Sequence, residues 1–173
     1  MSKDMAQEEI RALVPEQLRR QMFDLRLHEG TYCMAYDDLG KTLALASRGG
    51  HMLLLRLEDF ELQAEKRLYE GVSRLQFLEA GILAAAVESR LVIFDRSLLA
   101  LHNLFYGTCV GMEYLREHLL LASAHAGFKD SGDAGALRYT DITSGHEVAC
   151  IALRKKPLRV RQRPGTGIVA VSF

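Results

Sequence analysis

Ten residues near the C-terminal end of the sequence carry six cations and no anion: Arg154, Lys155, Lys156, Arg159, Arg161 and Arg163, in the run LRKKPLRVRQRP. Chemistry with phosphate is what such a run offers, because each Lys or Arg that neutralises a phosphate releases a condensed counterion. On an extended segment Arg159, Arg161 and Arg163 would line one side at about 6.6 Å spacing. A solvated strand edge is the plainer use of the same charges. No aromatic residue interleaves the run, which argues against base stacking within it. His125, Lys129, Asp130 and Asp133 share a glycine-bearing stretch, but Asp and Gly there read as turn residues rather than as an acid-base or metal centre. Asp95 and Asp141 likewise read as turn caps, and Gly165-Thr166-Gly167 as a hairpin turn without the strand-to-helix context of a phosphate loop. Neither Gly-x-Ser-x-Gly nor His-Glu-x-x-His occurs. The expectation is a non-enzymatic protein with no catalytic residues, no metal, no cofactor and no small-molecule substrate.

The charge is unevenly placed. The whole chain balances 22 Lys and Arg against 22 Asp and Glu over 173 residues, yet residues 148–173 hold six cations and no acid, leaving 16 cations and 22 acids before them. The even total excludes a wholesale polycation, and 49% hydrophobic content excludes a disordered tail. No apolar run approaches the ~20 residues of a membrane-spanning helix, and residues 1–20 lack the apolar region of a secretory signal. An intracellular chain without membrane contact is expected. Cys33, Cys109 and Cys150 are odd in number and widely spaced, which predicts three reduced, mostly buried thiols.

What positions the basic run is a repeat. TYCMAY (31–36), TLALAS (42–47) and HMLLLRL (51–57) are followed by VSRLQF (72–77), ILAAAV (82–87) and LVIFD (91–95), then by CVGMEY (109–114), LLLASA (119–124) and ALRYTD (136–141). Met34, Leu75 and Met112 align, and each copy has room for a fourth strand at 61–68, 98–104 and 146–153. The first strands alternate in polarity, with Tyr32, Met34 and Tyr36 opposite Cys33 and Ala35. The second strands do not, as suits strands covered on both faces. Four strands in about 40 residues is the blade of a WD-repeat β-propeller. The predicted fold is therefore all-β, with blades at about 31–70, 71–107 and 108–153 and a half blade at 157–173. That count is too small for the usual ring, so the sequence is either a fragment of a longer propeller or a part that another chain completes, and an end inside a blade, which leaves an open sheet edge, favours the fragment. Before it, Ile10, Leu13, Val14 and Leu18 form an apolar stripe that predicts a helical arm over residues 1–22, docking on the propeller at 23–173 or on a partner.

FDLRLHEGTYCMAYDDLGKTLALASRGGHM, with Phe23 and Asp24, the run Glu29 to Tyr36 and the pair Gly49 and Gly50, resembles the nucleolar WD-repeat proteins of the small-subunit processome, the BING-four type. LLASAHAGF (120–128) and DITSGHEVA (141–149) are similar to further family segments, while Tyr139 replaces the Trp of the Trp-x-Asp position and the loop from Lys129 to Gly135 looks inserted. The resemblance implies a scaffold for early small-ribosomal-subunit assembly and processing of its precursor rRNA in the nucleolus. Precursor ribosomal RNA, the small nucleolar RNA particle and other processome proteins would be its partners. Arg154, Lys155, Lys156, Arg159, Arg161 and Arg163 would then touch RNA, and Ile10, Leu13, Val14 and Leu18 a neighbouring protein. A WD-repeat adaptor outside ribosome assembly is the alternative.

Overall fold

The computed structural model describes residues 12–19, 27, 30–126 and 134–173. Three four-stranded antiparallel sheets follow one another in chain order: β1 (Tyr32–Tyr36), β2 (Thr42–Ser47), β3 (His51–Arg56) and β4 (Leu62–Arg67); β5 (Val72–Phe77), β6 (Leu83–Val87), β7 (Arg90–Phe94) and β8 (Ala100–Leu104); β9 (Thr108–Leu115), β10 (Leu120–Ala126), β11 (Gly135–Asp141) and β12 (Glu147–Leu153). A two-stranded sheet of β13 (Arg159–Gln162) and β14 (Val169–Ser172) completes the described fold. Each sheet is a blade of a partial propeller. The first strands β1, β5, β9 and β13 lie side by side on the inside, and the fourth strands are the most exposed.

Second strands explain why the blades stack. Along each of them the side chains that turn toward the following blade are alanines: Ala44 and Ala46, Ala84 and Ala86, Ala122 and Ala124, all at most 1% exposed. Ala44 and Ala46 meet Leu83, Ala85 and Val87 of the next blade, and Ala84 and Ala86 share a cluster with Leu121. Ala124 packs with Leu137 and Val160 under the half blade. Small side chains on one face and larger ones on the facing strand let two pleated sheets approach without voids.

The chain changes face between strands in a fixed way. The turns joining second to third strands meet the connections that lead from one blade to the next: Leu68 N–H donates to Gly50 O at 2.8 Å, Glu88 N–H to Gly71 O at 3.2 Å and Gly107 N–H to Ser89 O at 3.0 Å. Gly50 has φ of +88°, and a Cβ there would stand 2.3 Å from Leu68 O, so glycine is required. We call this the connection face. On the opposite face, Leu57 N–H donates to Lys41 O at 2.8 Å and Ile142 N–H to Leu119 O at 3.2 Å, joining the remaining two turns of the first and third blades. Asp95 Oδ1 accepts from the N–H of Ser97 and Leu99, both at 2.8 Å, and Asp141 Oδ1 from Thr143 and Ser144 at 2.8 and 2.9 Å. Both are turn caps, and those backbone bonds hold the Asp141 carboxyl below its ordinary value.

Two expectations change. Cys150 is exposed, because it stands on the outermost strand β12 rather than between blades. Of the expected helical arm, the described residues hold helical Ala12 and Leu13 and the short one-turn helix α1 (Glu16–Arg19), and an arm over 1–22 is not shown. Arg19 closes that turn through Nε to Val14 O at 2.8 Å.

Replacing Ala46 or Ala86 by Leu forces the blades apart and lowers stability by about 1–3 kcal/mol, measured by urea denaturation. A thiol reagent at mild alkaline pH reacts fast with Cys150, slowly with half-buried Cys33, and with Cys109 only on unfolding, since burial pushes that thiol up to about 11.

Candidate nucleic-acid interface

The ten-residue basic run passes through the thickness of the propeller. Arg154, Lys155 and Lys156 are exposed on the connection from β12 to β13, on the connection face. Pro157 is buried beneath them, its Cδ 2.5 Å from where a Cβ on Gly135 would stand. Arg159 and Arg161 follow on β13, exposed on one side of the strand, while Val160 between them is 3% exposed and packs into the last interblade cluster. Arg163 lies past the end of β13. Its N–H donates to Ile168 O at 2.9 Å and its carbonyl accepts from Thr166 Oγ1 at 2.9 Å, so it belongs to the turn of the β13–β14 hairpin. The three arginines therefore do not line one strand as expected, because the chain turns at Arg163.

Arg159 and Arg161 line an axial groove of about 400 Å³ formed by the inner strands, with Met34 of β1, Arg74 of β5, and Met112 and Glu113 of β9. Arg161 Nη1 is 2.8 Å from Glu113 Oε1, with the arginine mostly exposed and the glutamate largely covered. Arg74 was not singled out in the sequence. Its position in the repeat, one residue before Leu75 on an inner strand, is the signal that places it in the groove.

Of the apolar stripe, Leu13 is 73% exposed and Val14 half-buried. Leu18 falls in α1 and its side chain, like all of Ile10, lies outside the described residues. Lys129, Asp130 and Asp133 also lie outside them.

No family model matches the chain. It is 31% identical over 151 residues to mouse WD repeat-containing protein 46 and 30% over 152 residues to the Caenorhabditis elegans protein of that name. With U3 small nucleolar RNA-associated protein 7 of Saccharomyces cerevisiae it shares 26% identity over 167 residues. These alignments take in 85%, 85% and 94% of this chain. The chain is a homologue of these WD-repeat proteins. It spans about a quarter of their length, 23%, 25% and 29% respectively.

Solved structures agree on the fold, two of them propellers. The WD40 domain of Neurospora crassa Pan2 superposes with a TM-score of 0.65 at 12% identity, over 83% of this chain and 47% of that one. The Cps50 (Swd1) β-propeller of Myceliophteria thermophila gives 0.70 at 14%, over 85% and 52%. The computationally designed Ika4 protein gives 0.65 at 13%, over 87% of this chain and 95% of the other.

Within the WD-repeat frame His125 is a packing residue of β10 rather than part of a loop. It is 1% exposed, its Nε2 is 2.8 Å from Ser123 Oγ, and its Nδ1 is 3.3 Å from Gly107 O. With the proton assigned to Nδ1, that nitrogen donates to the carbonyl and Nε2 accepts from the hydroxyl. The ring stands edge-on to Tyr106, over whose face lies the Arg138 guanidinium, itself paired with Glu147. Burial, seconded by the Arg138 charge and opposed by the Gly107 carbonyl, pushes the imidazole down to about 4. A neutral His125 thus ties β10 to the connection that enters its blade.

The folded pKa is below that of the unfolded chain, so acid protonates the unfolded state first. Stability falls as pH drops from about 6.5 to about 4, by at most about 3 kcal/mol from this residue. Urea denaturation across that range should show the slope, and His125→Gln should flatten it.

Proposed function

We propose that this chain is part of a non-enzymatic scaffold of the small-subunit processome, acting in the nucleolus in early small-ribosomal-subunit assembly and processing of its precursor rRNA. The observation that carries the reading is homology to a U3 small nucleolar RNA-associated protein combined with an exposed basic connection, Arg154 to Lys156, with no acid in its own segment. These three side chains have the reach and exposure to meet phosphates. Arg159 and Arg161 extend the cationic line into the axial groove, and Arg163 carries it to the other face. Arg161 contributes least, because Glu113 already opposes its charge. The blades themselves supply rigid surfaces for neighbouring proteins, and the stripe of Ile10, Leu13, Val14 and Leu18 is the proposed protein contact.

Affinity purification of the tagged protein from its own cells tests the reading. Precursor small-subunit rRNA and its small nucleolar RNA should accompany it, whereas an RNA-free complex would leave an adaptor outside ribosome assembly. In vitro, replacing Arg154, Lys155 and Lys156 by Ala should weaken RNA binding and reduce the slope of log K against log salt by about 2. Arg161→Ala should change that slope less.

A further inference from the structure

We propose that the connection face binds single-stranded RNA, with Tyr69 and Phe105 as stacking platforms for bases and Arg154, Lys155 and Lys156 as the phosphate contacts beside them. The proposal deepens the RNA reading above and rests on it. Its basis is a register that the repeat imposes. Leu68, Leu104 and Leu153 close three successive blades, and the residue after each leads into the crossover: Tyr69, Phe105 and Arg154. Leu68 and Leu153 are half-buried and Leu104 is 8% exposed, while Tyr69 is fully exposed and Phe105 is 75% exposed. Two aromatic rings and a basic cluster thus occupy equivalent places on neighbouring connections.

The backbone contacts that define this face hold the platforms in place. Leu68 N–H is tied to Gly50 O and Gly107 N–H to Ser89 O, so each ring projects from a connection bonded to a neighbouring turn. The local charge suits a polyanion. Among the described residues of these connections and the turns beside them, the exposed charged side chains are Arg48, Arg154, Lys155 and Lys156 against Glu88. Glu70, next to Tyr69, is paired with Arg90 Nη2 at 2.8 Å. A protein partner would favour a contiguous apolar centre depleted of charge. Isolated rings interleaved with cations are the arrangement of sequence-tolerant single-strand binding, in which any base offers a π-face.

The chain contains no Trp, so Tyr69→Trp and Phe105→Trp each install a single indole at a platform. Titration with a single-stranded RNA of about 12 nucleotides, within the span such surfaces bind, should quench both. The Tyr69→Ala, Phe105→Ala double variant should lose roughly tenfold or more in single-strand affinity, with binding of a duplex of equal length and the salt slope unchanged. Tyr69→Phe with Phe105→Tyr should restore it. Unquenched indoles and an Ala variant that binds single strands like the parent would overturn the proposal while leaving RNA contact standing. A parent chain that binds neither RNA would overturn both readings. Loss of a co-purifying protein from the Ala variant, with RNA affinity intact, would make the face a protein-docking surface and overturn the proposal.

Discussion

Close approach of sheet to sheet across paired alanines is the constraint from which the rest of the architecture follows. A blade is a four-stranded sheet with two apolar faces, and neither face is stable until another sheet covers it. At Ala44 and Ala46, Ala84 and Ala86, and Ala122 and Ala124, the following blade can come near enough for Leu83, Val87, Leu121 and Val160 to fill the space left by the small side chains. Because the small pair always faces forward along the chain, every interface has the same sense, and the inner strands are brought side by side. The axial groove and the row of equivalent connections are consequences of that stacking.

Strand positions were legible in the sequence because period-two polarity and turn residues are local signals. β2 and β5 occupy the residues read from the pattern, and the other strands differ by a residue or two at their ends. The second strands hid their logic. TLALAS, ILAAAV and LLLASA read as unbroken apolar runs, since polarity does not alternate along them; what tells the two covered faces apart is that one face carries only alanine at its buried positions while the other carries Leu43 and Leu45, Leu83 and Val87, or Leu121. Cys150 departs from its expected burial for a related reason. Hydrophobicity along β12 resembles that of a buried strand, yet it is the last strand of its sheet and most of its residues face solvent.

One regularity has no counterpart in polarity at all. Leu54 and Leu55 pair with Ala64 and Leu62, leaving Gln63 unmatched; Leu101 and Val148 are skipped in the same way in the next two blades. A bulge thus recurs on the fourth strand of every complete blade. It sharpens the local twist and interrupts the outer edge, where a regular strand would invite pairing with another chain. The turn before each of these strands also repeats, with Phe60, Leu98 and Gly145 in the left-handed region at φ of +57°, +58° and +71°. Such a conformation is unfavourable for Phe and Leu. It persists because the same backbone closure, from Arg56 to Glu61, Asp95 to Leu99 and Asp141 to His146, is required in all three blades.

The candidate interface was legible as composition but not as geometry. Six cations in ten residues look like one linear site, and alternation on a strand places three of them in a row. The propeller overrides that picture, because its chain must cross from the outermost strand of one blade to the innermost strand of the next. A segment making that crossing visits the connection face, the axial groove and the opposite face in turn, so the run divides among three surroundings: open solvent at Arg154 to Lys156, the groove and Glu113 at Arg159 and Arg161, and a hairpin turn at Arg163. The same crossing brings Tyr69 and Phe105, far from the run in sequence, to positions equivalent to its first residue. Stacking and phosphate contact, which the run by itself cannot combine, become available together only because the repeat superimposes its connections.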